Sequence, residues 1–393
     1  MSSRNRWRMW TLGALALAAF STAACSSDEG TLGPGDNNDP NNPDDPEKEK
    51  DPTKDPTAEE TILDHRVINY GEAYKTLHLK LLDITPNLTN IKRLDSADDQ
   101  QAEYEAMVDE IFEDQRLAPR MIRWWRDTLR QGGGDLDTAP TFAARVMMEG
   151  KPYTELFTAS SNTCPTYTDG QFVDGDCNNN VPTHAGVLTN PGSMAQFYGN
   201  MAFRRARWIQ ETFACKKYPA EYSDTPEQVG EGQYTSPWPF GRVAEEPINF
   251  QDTSSVVCAN CHSTMNGIAP LVAQFDENGM WQDSIQVQTP IAPEPVTTEL
   301  SHWLKPGEPT AWRQGVEVTS LPELGQAMAD DPSVRACITA RLWNFTMSKE
   351  DIVAGLATVP TEVIDDYMTQ LGETGDMKAT LKAMFKSEDF VSF

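Results

Sequence analysis

Residues 254 to 267, SSVVCANCHSTMNG, bring Cys258, Cys261 and His262 into one short stretch. Three chemistries use such a triplet. Two thiols and an imidazole can hold a haem covalently, a Cys-x-x-Cys pair can cycle between dithiol and disulfide, and a Cys/Cys/His set can supply most of a zinc site. Haem attachment needs two sulfurs about a helical turn apart, able to reach vinyl groups on one side of the ring, and a histidine beside them. CANCH supplies that pattern, with His262 as the proximal iron ligand. The carbonyl of Pro270 is expected to accept the Nδ1 proton of His262 and so set its tautomer. The zinc reading lacks a second half, because no further Cys pair remains and His65, His78, His184 and His302 show no ligand spacing. Dithiol exchange would place the pair at a helix start after a strand in a βαβ unit, and DTSSVV is at best one short strand.

The distal side decides the activity. A haem with two strong axial ligands transfers electrons, whereas an open sixth position binds peroxide or small gases. Met265 follows His262 too closely to reach across the ring and reads as packing. Met280, His302, Met328 and Met347 are the remaining candidates, and spacing favours none of them.

The compartment bears on this choice. Arg4, Arg6 and Arg8 precede the apolar run WTLGALALAAF and the small residues STAAC, an export-signal order too short for a spanning helix. The Thr-Ala-Ala-Cys end resembles a bacterial lipoprotein cleavage site, which makes Cys25 the expected lipid anchor. Residues 28 to 60 hold 12 Asp or Glu against 3 Lys and almost nothing apolar, so they read as a disordered tether. The formal charge of −27 argues against nucleic acid as a partner. With Cys25 assigned to lipid and Cys258 and Cys261 to the motif, four cysteines remain. Cys164 and Cys177 bracket a turn-rich loop and are paired; Cys215 and Cys337 pair by elimination.

The elements that position these residues are mostly helices. AEYEAMVDEIFED turns Met107, Val108, Ile111 and Phe112 to one face. Pro119 opens a helix carrying Met121, Ile122, Trp125 and Leu129 inward until GGG at 132 to 134, with Trp124 and Trp125 read as core. TFAARVMM and residues 193 to 215 continue the pattern. Arg204, Arg205 and Arg207 form the one basic cluster, able to pair with local acids or to meet haem propionates. Residues 216 to 256 and 284 to 320 read as loops, the latter punctuated by proline. Helical patterns return in LPELGQAMAD, VRACITARLWNF, a start at Ser348 with Asp351, TEVIDDYMTQL and DMKATLKAMFKSEDF. The expected fold class is mainly α, with helical modules and long ordered loops around a c-type haem segment and little β.

CANCHSTMNGIAPLVAQFDENGMW resembles the haem-binding segment of planctomycete-type cytochrome c modules, with Cys258, Cys261, His262, Met265, Phe275, Asp276, Gly279 and Trp281 at matching positions. GVLTNPGSMAQF and RRARWIQETFAC are similar to the upstream part of that module. Asn266-Gly267 stands where the family usually has Asp-Pro, and Gln282 where it has a basic residue. The stretches from LLDITPNLTNIKRL to MIRWWRDTLR, and LPELGQAMADDPSVRACITARLWNF with KSEDF, resemble the helical modules that flank it. The resemblance implies a haem protein and no particular substrate. The resulting division is a lipoprotein signal at 1–24, an acidic tether at 25–61, a helical module at 62–160, a cytochrome c-like module with its disulfide loop at 161–283, and a linker with a C-terminal helical module at 284–393. The expected function is a lipid-anchored monohaem electron carrier of the bacterial cell envelope, holding haem c and meeting an unidentified redox partner. The alternatives are a peroxidase-like haem oxidoreductase with an open sixth position, and a surface scaffold or binding protein.

Overall fold

Asn69, Asn87 and Asp99 each stand before an apolar-periodic run, and each side chain accepts a backbone N–H three residues on, from Glu72, Asn90 and Ala102. These caps satisfy donors that a helix start leaves without partners. They open α1 (Tyr70–Leu82), α2 (Leu88–Asp95) and α3 (Gln100–Phe112). The computed structural model describes residues 66–218, 227–229, 232–234, 256–288, 294–313, 315–350 and 359–393. The expected leader, Cys25, the expected acidic tether, most of the 216–256 stretch and the helix expected from Asp351 lie outside the described residues.

On α3, Met107, Val108, Ile111 and Phe112 are buried, the face that periodicity selected, with Tyr104 beside them. α4 (Leu117–Leu129) begins two residues before Pro119, buries Met121, Trp125 and Leu129, and ends at Arg130 with φ 55°. Trp124 is half-buried, its ring 5.6 Å from that of Phe345. α5 (Thr138–Met148) packs on α4 and is buried from Ala139 to Met147. A single turn, α6 (Glu155–Thr158), leads to the hairpin of β1 (Thr166–Thr168) and β2 (Gln171–Val173), which the Cys164–Cys177 disulfide closes. Then come α7 (Pro191–Gln196), α8 (Phe203–Phe213), the paired strands β3 (Glu227–Val229) and β4 (Gly232–Tyr234), and α9 (Val256–Val272). The proline-rich stretch that follows carries two further antiparallel pairs, β5 (Gln286–Val287) with β6 (Val296–Thr297) and β7 (Ala311–Arg313) with β8 (Val316–Glu317).

The chain closes with α10 (Leu321–Ala329), α11 (Pro332–Thr346), α12 (Thr361–Thr374), α13 (Met377–Lys386) and α14 (Glu388–Val391). Ser320, Asp331, Asp376 and Ser387 cap four of these. The architecture is mainly helical, and the described strands form only two-stranded ladders.

Residues 65–393 form one compact unit, because its first and last helices share a core. The Tyr104 hydroxyl, buried on α3, donates to the Phe385 carbonyl of α13 at 2.7 Å. Val67 and Phe393 exchange backbone hydrogen bonds at 3.0 and 3.1 Å. Between these ends, the Cys215–Cys337 disulfide ties the exit of α8 to α11. Arg341 of α11 donates to the Thr212 and Glu211 carbonyls at 3.1 and 3.2 Å, capping the C-terminus of α8 beside that bridge.

Candidate functional site

α9 carries Cys258, Cys261 and His262 in its first two turns. Three residues of helix separate the cysteine positions by about 4.5 Å along the axis, and the histidine follows directly. Cys261 and His262 are half-buried. The His262 Nδ1 lies 3.0 Å from the Asn266 Oδ1, one turn along the same helix. An amide oxygen only accepts, so Nδ1 carries the proton and Nε2 keeps the lone pair that a metal would take. The Phe203 ring stands edge-on to the imidazole, with centroids 4.7 Å apart. Burial pushes the His262 pKa below its ordinary value, partly opposed by the Asn266 hydrogen bond, and this favours the neutral ring.

The acceptor of Nδ1 is therefore Asn266 and not the Pro270 carbonyl. The reason is that the helix does not turn after Met265 but runs on to Val272, with Pro270 inside it. Eight residues of helix put position 270 about 12 Å further along the axis than His262, beyond side-chain reach. The Pro270 carbonyl instead accepts the Ala273 N–H at 3.4 Å. Gly267 has its own purpose. A Cβ there would sit 2.7 Å from the Ala311 carbonyl oxygen, so glycine lets the β7 backbone lie directly against α9. The Asn266-Gly267 pair thus provides both the imidazole's partner and the contact with β7.

Arg205, on α8, holds the far end of α9. It is 1 % exposed. Its guanidinium donates to the carbonyls of Val272, Phe275 and Asp276, all near the C-terminus of α9, and to that of Met194 on α7. Helix-end carbonyls need such donors, and one planar fork with five N–H groups supplies them together. Burial lowers the Arg205 pKa to about 9, a measure of how desolvated this cation is. Arg207 pairs with the buried Glu211 at 2.8 Å, and Arg204 donates to the Tyr198 carbonyl at 3.0 Å. All three arginines thus have protein partners, and none lines the cavity beside His262.

The residues shared with the cytochrome module beyond the histidine build a turn. Asp276 Oδ1 accepts the backbone N–H groups of Asn278 and Met280, each at 2.9 Å, and Phe275 meets Trp281 ring to ring at 5.2 Å. Gly279, at φ 73°, could carry no Cβ, which would lie 2.3 Å from the Pro191 carbonyl oxygen. Asn179 joins this turn to the 186–189 segment, its Nδ2 donating to both the Gly279 and Thr189 carbonyls. Upstream and downstream parts of the module are therefore one packed body.

A cavity of about 330 Å³ opens beside His262, walled by Thr264, Asn266, Gly267, Leu304, Ala311 and Arg313 among others. Met280, His302, Met328 and Met347 are all absent from its lining. Met328 is buried in the core, Met280 belongs to the Asp276 turn, Met347 packs on the core beyond α11, and the His302 ring engages the Glu299 backbone. Two residues that periodicity did not single out flank the motif. The Tyr218 hydroxyl lies 2.7 Å from the Thr264 Oγ1, which donates to the Cys261 carbonyl at 3.2 Å. Tyr218 is buried, and that burial pushes its pKa up to about 12.

Two cysteine positions one turn apart, followed by a neutral imidazole held through Nδ1, form a donor set that fits a covalently attached haem. The fold is mainly helical, and the motif lies on α9 within it. Residues 183–285 match the family model described as PSCyt3: Protein of unknown function (DUF1588), and the match covers the segment whose motifs resemble the planctomycete-type cytochrome c modules. No curated protein and no solved structure matches the chain.

Proposed function

We propose that this protein is an exported, lipid-anchored monohaem c-type cytochrome that passes electrons at the cell envelope. The observation that carries this reading is the His262–Asn266 pair on the helix that also bears Cys258 and Cys261, inside the family-matched segment. In it, Cys258 and Cys261 hold the haem through thioethers and His262 Nε2 is the proximal ligand. Bound haem would supply a one-electron couple. The chain's own contribution is to keep the imidazole neutral and aimed. Asn266 fixes the tautomer, Phe203 limits rotation of the ring, and Arg205 with Gly267 anchors the helix that carries it. The Thr-Ala-Ala-Cys end supports attachment of lipid at Cys25, with the acidic tether as a spacer.

The test is expression with export and haem maturation, followed by denaturing electrophoresis with haem staining. Wild type should keep its haem, and a Cys258→Ala, Cys261→Ala variant should lose it. Haem retained by that variant would sink the covalent assignment. Failure of carbon monoxide to bind the reduced protein supports electron transfer, and ready binding moves the reading to a peroxidase-like oxidoreductase. For the anchor, Cys25→Ser should release the protein from the membrane fraction; unchanged partition refutes lipidation.

A further inference from the structure

A second cavity, of about 830 Å³, lies further along α9 than His262 and is much the larger of the two. Its walls come from parts that the turn and helix ends already hold rigid: Pro270 and Leu271 of α9, Trp281 and Ile285 after the Asp276 turn, and Leu304 and Leu321 from the 300–322 segment. Trp281 is fixed by its backbone N–H to the Asn179 carbonyl at 2.9 Å and by its ring against Phe275. The cavity is therefore formed before any ligand arrives, with the size and apolar character of a small-molecule site.

Helix geometry separates it from the attachment face. At about 100° per residue, positions 258 and 261 lie about 40° and 100° to one side of 262, whereas 270 and 271 lie about 80° and 180° to the other. The two cavities adjoin at Leu304, Glu308 and Pro309, which line both. The charge at the mouth is one-sided. Asp283 and Glu308 are exposed members of the lining, and no Lys, Arg or His is among the described lining residues. In a chain of net charge −27, an anion entering here would meet repulsion from the rim and from the protein's overall field.

We infer that this cavity is a binding site for a hydrophobic organic cation, an apolar ring body carrying an amine, with the ring between Leu271 and Trp281 and the ammonium at Asp283 and Glu308. Every wall residue belongs to the chain itself, so binding of the cation can be read both with and without bound haem. Equilibrium dialysis of the full-length protein against 1-naphthylmethylamine, 1-naphthalenemethanol and 1-naphthoate at low salt tests it. The amine should bind saturably and more tightly than the alcohol, and at least tenfold more tightly than the carboxylate. Leu271→Trp, which fills the cavity, should abolish binding while leaving the circular dichroism spectrum intact. Should that variant fail to fold, Asp283→Asn with Glu308→Gln carries the test, since it should remove the preference for the amine without removing the alcohol's binding. Equal affinity for amine and carboxylate, absence of saturable binding, or a cation preference that survives the rim substitutions overturns the proposal. So does binding to haem-free protein that disappears in the haem-loaded one, which would assign the cavity to haem.

Discussion

Replacing Arg205 by Met tests how the site is held. The side chain makes five hydrogen bonds to four carbonyls and is 1 % exposed. A net hydrogen bond to a charged donor contributes about 1.5 to 3 kcal/mol, so the gross gain is on the order of 10 kcal/mol. Desolvating the guanidinium offsets much of it, as the pKa lowered to about 9 records. Methionine fills the space without that desolvation cost, but it leaves four carbonyls without these donors. Each strands a desolvation penalty of about 1 to 3 kcal/mol where no water can enter. The expected net loss is about 3 to 5 kcal/mol, the range for breaking a buried charged network. Arg205→Lys should recover only part of it, because one ammonium with three donors cannot reach carbonyls on both α7 and the end of α9. The assay is urea unfolding of the disulfide-intact protein, monitored by tryptophan fluorescence, with the slope checked for constancy. A loss below about 1 kcal/mol for Met, or a lysine variant indistinguishable from wild type, would refute the view that this cation is what fastens α9.

Two further outcomes follow from the same structure. The Cys215–Cys337 bridge spans 122 residues and Cys164–Cys177 spans 13, so loop-closure entropy expects losses of about 5 and 3 kcal/mol when each pair is changed to Ala; denaturant midpoints in the reverse order would exclude that account. Lys80 donates to the Phe345 carbonyl at 2.7 Å, and burial, with help from Arg120, lowers its pKa to about 8 from the usual 10.5. Between those values the unfolded chain binds more protons, so Lys80 makes stability rise with pH in that window, and Lys80→Met should flatten this part of the stability curve. Parallel curves for the two proteins from pH 8 to 10.5 would show that Lys80 is not the group responsible.

Much of this molecule was legible because its signals are local. The apolar face of α3 and the helical runs of α10 and α11 depend on residues within one or two turns, and each appears where the sequence puts it. Cysteine counting, with Cys25 and the motif pair set aside, pairs Cys164 with Cys177 and Cys215 with Cys337, and both bridges are present. The site was only partly readable. The sequence offers the Pro270 carbonyl as the imidazole's partner, whereas the helical neighbour of His262 at 266 is found only once α9 is seen to run on through Pro270. The row of arginines was equally ambiguous, because a cation's partners here are backbone carbonyls, and every residue type offers one. Nothing in the letters of Val272 or Phe275 marks them as acceptors.

By itself, then, the sequence determined the helical class, the disulfide pairs, and a Cys-x-x-Cys-His segment whose spacing suits haem, since composition, period and spacing carry all of these. Tertiary structure decided the rest. Asn266 became the imidazole's partner because α9 continues through Pro270, and Gly267 matters because β7, from residues more than forty positions away, lies against it. Arg205 became a fastener because packing brings the ends of α7 and α9 to one guanidinium, and the apolar cavity exists only where α9, the Trp281 turn and the 300–322 segment meet. Such contacts join groups that are distant in the chain, and their free energy depends on burial, which no local run of residues specifies.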